Sequence, residues 1–219
     1  MVDVRLNAIV DPAVAGSHTM HGLAGLVASG GATLIQLRDK HGDTRRQIET
    51  AKAIKAALEN TGVPLVINDR VDVALAAQAD GVHVGQDDMS VAEARGILGP
   101  GAIIGLSIKT IAEAQAAPVE LLDYVGVGGV YATTSKDNPN KPIGLDGLRA
   151  IVDIFHHRAP GLPVVAIAGI TADNAAATVA AGADGVAVIS ALSLATDAGA
   201  AARTLRAAVD AARAKRDRT

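Results

Sequence analysis

Three residues at alternate positions close the segment GATLIQLRDK: Gln36, Arg38 and Lys40. Alternate side chains on a strand share a face, so an amide and two cations would line up at the end of an apolar run. Other apolar runs end the same way. Asn68 and Asp69 end LVIND, Asp87 and Asp88 follow GVHVG, and Ser107 and Lys109 follow AIIGL. Thr133, Thr134, Ser135 and Lys136 follow YVGVGGVYA. Two kinds of chemistry are represented. Arg38, Lys40 and Lys136 can neutralise phosphate oxygens, arginine through a bidentate fork. Asp69, with one aspartate of the pair Asp87-Asp88, can hold Mg²⁺, a hard cation that takes few carboxylates and leaves room for substrate oxygens. Gathered at one place, these groups suit a metal-bound diphosphate.

Each residue also has an ordinary reading. Asp69 can cap a helix that starts near Val71, and Arg38 and Lys40 can form salt bridges or sit in a solvated loop. Periodicity does not choose between Asp87 and Asp88. His83 can act as a general base or as a hydrogen-bonded interior side chain. The histidines at 18, 21, 41, 156 and 157 lack metal-ligand pairing. No Gly-x-Ser-x-Gly nucleophile motif occurs.

Positioning these residues requires a repeating fold. Strands are predicted at 6–10, 33–37, 65–68, 81–84, 102–106, 124–127, 164–168 and 185–189. Helical spacing lies between them at 44–60, 71–79, 91–98, 112–117, 147–157 and 172–181, and again at the C-terminal end. Ser90 and Thr110, each followed by Glu three residues later, match capping boxes. Eight strands alternating with helices predict one (β/α)8 barrel domain over residues 1–219. An open doubly wound sheet fits less well, since no Gly-x-Gly-x-x-Gly follows the first strand. The joints Ala79-Asp80-Gly81-Val82 and Ala183-Asp184-Gly185-Val186 read as tight turns at the bottom of such a barrel. The chemistry of a barrel belongs at the C-terminal ends of its strands, where the polar residues above fall. Strands seven and eight end in AIAGIT and VAVISAL. There Gly169 permits close backbone approach and Ser190 offers a hydroxyl and an amide to a phosphate. The long polar loop GVYATTSKDNPNKPIG reads as a lid.

Composition sets the outer bounds. A net charge of −3, one Phe, two Tyr and no Trp leave neither the basic surface nor the stacking platforms of a nucleic-acid binder. The basic end ARAKRDRT reads as a solvated last helical turn. No apolar run reaches the roughly 18 residues of a membrane span, and the N-terminus lacks a signal-peptide pattern. A cytoplasmic protein is expected. The absence of cysteine excludes disulfides, thiolate metal sites and a cysteine nucleophile.

The segments QLRDK, INDR, GVHVGQDDM, GLS, VGVGGVYATTSK, AIAGI and GVAVISAL together resemble the thiamine-phosphate synthase (thiamine-phosphate pyrophosphorylase) family, in its order and at similar spacing. The resemblance implies a (β/α)8 barrel and an Mg²⁺-dependent transferase that joins hydroxymethylpyrimidine diphosphate to thiazole phosphate by dissociative substitution, with release of diphosphate. It implies that Gln36, Arg38, Lys40, Asn68, Ser107 and Lys136 bind the pyrimidine diphosphate, and that Arg38, Lys40, Lys136 and Ser107 serve the chemistry. It implies Asp69 and Asp88 as the Mg²⁺ ligands. Thr133, Thr134, Ser135, Gly169, Ile189 and Ser190 would hold the thiazole phosphate. The partners expected are those two small molecules, with no nucleic acid and no membrane; a homo-oligomer is compatible with the sequence. Three departures stand out. Asn7-Ala8-Ile9-Val10-Asp11 replaces a frequent Tyr-Leu-Val-Thr-Asp, Thr133-Thr134-Ser135 replaces Thr-x-Thr, and Ala168-Gly169-Ile170 replaces Gly-Gly-Ile. Rival readings are a related thiazole tautomerase, a phosphosugar isomerase barrel, and a non-catalytic phosphometabolite-binding barrel. None of these needs the full set of cations and acids.

Overall fold

Eight short apolar runs, buried on both faces, become strands that only a parallel sheet under helices can accommodate. A computed structural model describes residues 1–133 and 141–218. Its strands are β1 (Leu6–Val10), β2 (Leu34–Leu37), β3 (Leu65–Asn68), β4 (Gly81–Val84), β5 (Ile103–Ile108), β6 (Tyr124–Val127), β7 (Val164–Ile167) and β8 (Gly185–Val188). Each pairs in parallel with the next, and β8 returns to β1, closing the barrel. Helices α1 (Met20–Ser29), α2 (Thr44–Ala57), α3 (Val71–Ala77), α4 (Val91–Leu98) and α5 (Ile111–Ala116) follow the first five strands. The series continues with α6 (Gly144–Arg158), α7 (Ala172–Ala180), a short α8 (Ser190–Ser193) and α9 (Ala198–Arg216).

The predicted elements all form, with ends displaced by a few residues. Sequence periodicity did not single out α1, whose two glycines and weak apolar stripe blur the signal. One displaced end matters for chemistry. The fifth strand was expected to stop before Ser107, yet β5 runs on to Ile108 and pairs Ser107 with Gly126. Ser107 is thus a strand residue with a set direction. Both predicted capping boxes are present: Ser90 accepts from the Glu93 amide and Thr110 from the Glu113 amide.

Alternation divides the strand residues between two cores. Leu6, Ala8, Val10, Ile35, Leu37, Val125 and Val127 face the helices, where Phe155 is fully buried. Ile9, Leu34, Val66, Tyr124, Val165 and Ala187 fill the barrel interior. Glycines make that interior possible. A Cβ on Gly81 would stand 1.8 Å from the Ile103 carbonyl oxygen, and one on Gly185 would stand 1.9 Å from that of Val4.

The bottom of the barrel explains the two Asp-Gly joints and gives Asp123, before Tyr124, the same role. The carboxylate of Asp80 accepts the backbone N–H of Leu65 at 2.8 Å, Asp123 that of Ile104 at 2.9 Å, and Asp184 that of Val164 at 3.0 Å. Each aspartate therefore ties the start of one strand to the start of the preceding one. The basic C-terminal end differs from its expected role as a solvated turn. Arg216 donates to the carbonyls of Gly182 and Ala183 at 3.0 and 2.9 Å and reaches the Asp184 carboxylate at 3.1 Å. The positive charge thus pins α9 to the turn before β8. Among the described residues, no helix is long and apolar enough to cross a membrane.

Candidate active site

The polar residues expected at the strand ends do gather at the C-terminal mouth, but mostly in pairs. Arg38, just past β2, forms an ion pair with the buried carboxylate of Asp11, just past β1. Its Nε is buried without a partner, so one face of the guanidinium is anchored while a donor remains unused. Lys40 pairs with Asp69 across the gap between β2 and β3. Neither cation is a loose surface charge. Asp39, between them, turns the chain by accepting the amides of His41 and Gly42 at 3.1 and 2.7 Å.

Asp69 does not cap a helix. The residue flanking α3 is Arg70, and it makes no side-chain capping bond. Instead Asp69 has a φ of +63°, a left-handed conformation that costs a non-glycine residue on the order of 1 kcal/mol. Its N–H donates to the His83 carbonyl at 2.8 Å, which holds the carboxylate over the barrel mouth. There it meets Asp88, whose Oδ2 also accepts the Gly85 amide at 2.7 Å. The geometry therefore separates Asp88 from Asp87. Burial raises the Asp69 carboxyl above its ordinary range, the neighbouring Asp88 adds to the rise, and Lys40 opposes it.

The half-buried Asp69 carboxyl beside the exposed carboxyl of Asp88 favours a proton or a cation between the two. Among the described residues, no group of three or more His, Asp or Glu is arranged to hold a metal. A cation at Asp69 and Asp88 would complete its shell with water and ligand oxygens. That donor set fits Mg²⁺, which typically uses one or two carboxylates together with phosphate.

A second constellation lies just beneath, inside the barrel. Gln36 is buried on β2, and its side-chain amide hydrogen-bonds the Tyr124 hydroxyl. The hydroxyl lies 2.9 Å from His83 Nδ1, and His83 Nε2 lies 2.9 Å from Ser107 Oγ. His83 thus fits the interior, hydrogen-bonded reading. Asn68 ends β3 in register with His83. Asn7, one of the departures noted above, is buried inside the barrel with its Oδ1 unpartnered.

On the far side, Gly169 has a φ of +66°, and a Cβ there would stand 2.4 Å from the Ala132 carbonyl oxygen. The chain after β6 crosses directly over the end of β7, with the Tyr131 amide donating to Ala168 at 3.1 Å. Thr133 stands just beyond that crossing, half-buried. Ile189 is buried at the top of β8, and Ser190 opens α8. Thr134, Ser135 and Lys136, and with them seven of the sixteen residues of the expected lid, lie outside the described residues. Sequence reasoning did not pick out Asp11 as the holder of Arg38, or Tyr124. A charged residue directly after the first strand, and a tyrosine among glycine-rich strands, were the available signals.

A groove of about 620 Å³ lies at the opposite end of the barrel, between α2 and α3. Its Lys55 is already bound to the Gln78 carbonyl.

Comparison with known proteins gives a consistent result. The model of a family described as thiamine monophosphate synthase matches residues 6–192. A thiamine-phosphate synthase from Agrobacterium fabrum is 53% identical over 211 residues, 96% of each chain. One from Chloroflexus aurantiacus is 46% identical over 98% of this chain and 97% of its own. The solved structure of a thiamine phosphate pyrophosphorylase from Pyrococcus furiosus superposes with a TM-score of 0.84 at 37% identity, covering 96% of this chain and 98% of that one.

Proposed function

The chain belongs to the thiamine monophosphate synthase family, and on that premise we propose that its barrel mouth joins hydroxymethylpyrimidine diphosphate to thiazole phosphate, making thiamine phosphate and diphosphate. It is a transferase of the alkyl-transfer kind. The observation that carries the assignment of roles is the convergence of Arg38, Lys40, Asp69 and Asp88 on one rim. A tautomerase or a simple phosphate binder has no use for that combination.

The reaction is an exchange of two bonds at one methylene carbon. The C–O bond to the diphosphate breaks with its electron pair leaving on oxygen. The resulting pyrimidine cation is stabilised by the ring's amino group, and the thiazole nitrogen then supplies the pair for the new C–N bond. No strong base or nucleophile from the protein is required. The chain's contribution is to stabilise the charge that develops on the leaving group and to hold the second substrate close. Arg38 does this with donors turned away from Asp11, and Lys40, Lys136 and the Ser107 hydroxyl add further donors. Each charge-assisted hydrogen bond of this kind is worth roughly 1.5–3 kcal/mol. Gln36 and Asn68 hold the pyrimidine part. Thr133, Thr134, Ser135, Gly169, Ile189 and Ser190 hold the thiazole phosphate against β7 and β8. Asp69 and Asp88 would hold Mg²⁺, which supplies positive charge to the departing diphosphate. We read the whole chain as one barrel domain, and a cytoplasmic setting suits its lack of cysteine.

The test is to mix both substrates with and without Mg²⁺ and measure diphosphate and thiamine phosphate. Equimolar formation of both, dependent on the cation, is expected. Binding of either substrate without turnover would leave a phosphometabolite-binding barrel instead.

A further inference from the structure

Tyr124 and His83 take no part in the bond exchange, yet both are polar rings buried inside the barrel. Tyr124 is fully buried and His83 is 8% exposed. Their space is reserved by glycine. A Cβ on Gly105 would stand 2.3 Å from the tyrosine ring and 2.5 Å from His83 Nδ1, and one on Gly126 would stand 3.0 Å from His83 Cε1. The two rings are tilted by 32° with centroids 5.4 Å apart. Buried polar groups of this kind persist only when their hydrogen bonds are satisfied, and here the bonds have a direction.

Donors and acceptors along the chain follow one order. The Gln36 side-chain amide lies beside the Tyr124 hydroxyl, and its N–H is the group that can be given to the tyrosine oxygen. Tyr124 then has one proton to give, and His83 Nδ1 is 2.9 Å away. A ring nitrogen that accepts carries no proton of its own, so the proton sits on Nε2. Nε2 donates to Ser107 Oγ at 2.9 Å. The serine hydroxyl is left with its own proton to donate, at the half-buried end of the chain facing the mouth. The reversed order would present an acceptor oxygen to an anionic ligand, which repels it.

We infer that Tyr124 and His83 are positioning residues that fix Ser107 as an outward hydrogen-bond donor to the departing diphosphate. His83 is therefore no general base, although its place beside the site invites that assignment. This inference rests on the reading of Ser107 as a leaving-group contact.

The discriminating substitution is His83→Gln, whose amide N–H can stand where Nε2–H stands. It is expected to keep activity within about fivefold of wild type, while His83→Ala falls as far as Ser107→Ala, roughly 100-fold. Tyr124→Phe frees the imidazole to adopt either tautomer. It is expected to lower kcat about tenfold, with KM for the pyrimidine substrate changed less than twofold. Thermal melting confirms that each variant is folded. Imidazole ¹⁵N spectra of the resting protein give an independent reading, with His83 expected in the Nε2–H form. An Nδ1–H ring, or His83→Gln as impaired as His83→Ala in folded protein, overturns the inference. Wild-type protein that makes no thiamine phosphate defeats the proposed reaction, and the ¹⁵N spectrum still decides the order of the chain.

Discussion

Aspartates stand at both ends of this barrel, and their surroundings are opposite. At the bottom, Asp80, Asp123 and Asp184 each accept a backbone N–H from a neighbouring strand, and Asp184 also meets Arg216. Every charge there is answered by the chain itself. At the top, Asp69 meets another carboxyl, stands on a left-handed backbone and has its proton affinity raised by burial. A charge that the chain leaves poorly answered is available to something that is not the chain. The comparison separates aspartates that hold the fold from those proposed to serve the reaction, although residue type and strand-end placement are shared.

The comparison is broken most severely at Asp69. Asp69→Ala should reduce turnover about 10²–10³-fold while leaving the unfolding free energy unchanged or slightly higher. Steady-state kinetics beside denaturant unfolding of the same preparation decides this, and a large loss of stability would place Asp69 with the bottom aspartates. Asp184→Ala should show the inverse. Losing a half-buried acceptor and the partner of Arg216 should cost about 2 kcal/mol of stability, with turnover per folded molecule unaltered. Asp11 lies between the two classes, since it holds a cation that serves the site. Asp11→Asn should raise KM for the pyrimidine diphosphate about tenfold by loosening Arg38, measurable by titrating that substrate at saturating thiazole phosphate.

The smallest effect is a pH dependence with a definite sign. The folded-state pKa of Asp69 lies above its unfolded value, so between those values the folded protein binds more protons than the unfolded chain. Stability from this group therefore falls as pH rises from the ordinary carboxylate range through the raised value. Asp69→Asn removes that penalty. Relative to wild type, the variant should gain stability as pH rises from 4 to 7 in metal-free buffer. A difference that is flat with pH would show that Lys40 fully compensates the charge.

Much of this architecture was legible in the residues. The spacing of apolar runs and the Asp-Gly joints indicated eight βα units, because strand and helix periods and tight turns are local properties of the chain. The gathering of polar residues at one rim was legible too, since polar residues that directly follow apolar strands have few places to go in a barrel. Pairing was not legible. Arg38 could be read as an anion binder or an ion-pair partner, and it is held by Asp11, 27 positions away. His83 could be read as a base or as an interior residue, and it is hydrogen-bonded to Tyr124, 41 positions away.

By itself, then, the sequence determined the fold class, the rim on which the polar residues gather and the family, all of which rest on local pattern and motif order. Tertiary structure decided which aspartate of Asp87-Asp88 meets Asp69, that Asp69 does not cap α3, and that the basic tail pins α9. It also brought Gln36, Tyr124, His83 and Ser107 into one hydrogen-bonded row. Those outcomes depend on distances between residues far apart in the chain, and barrel closure sets such distances where no local spacing can.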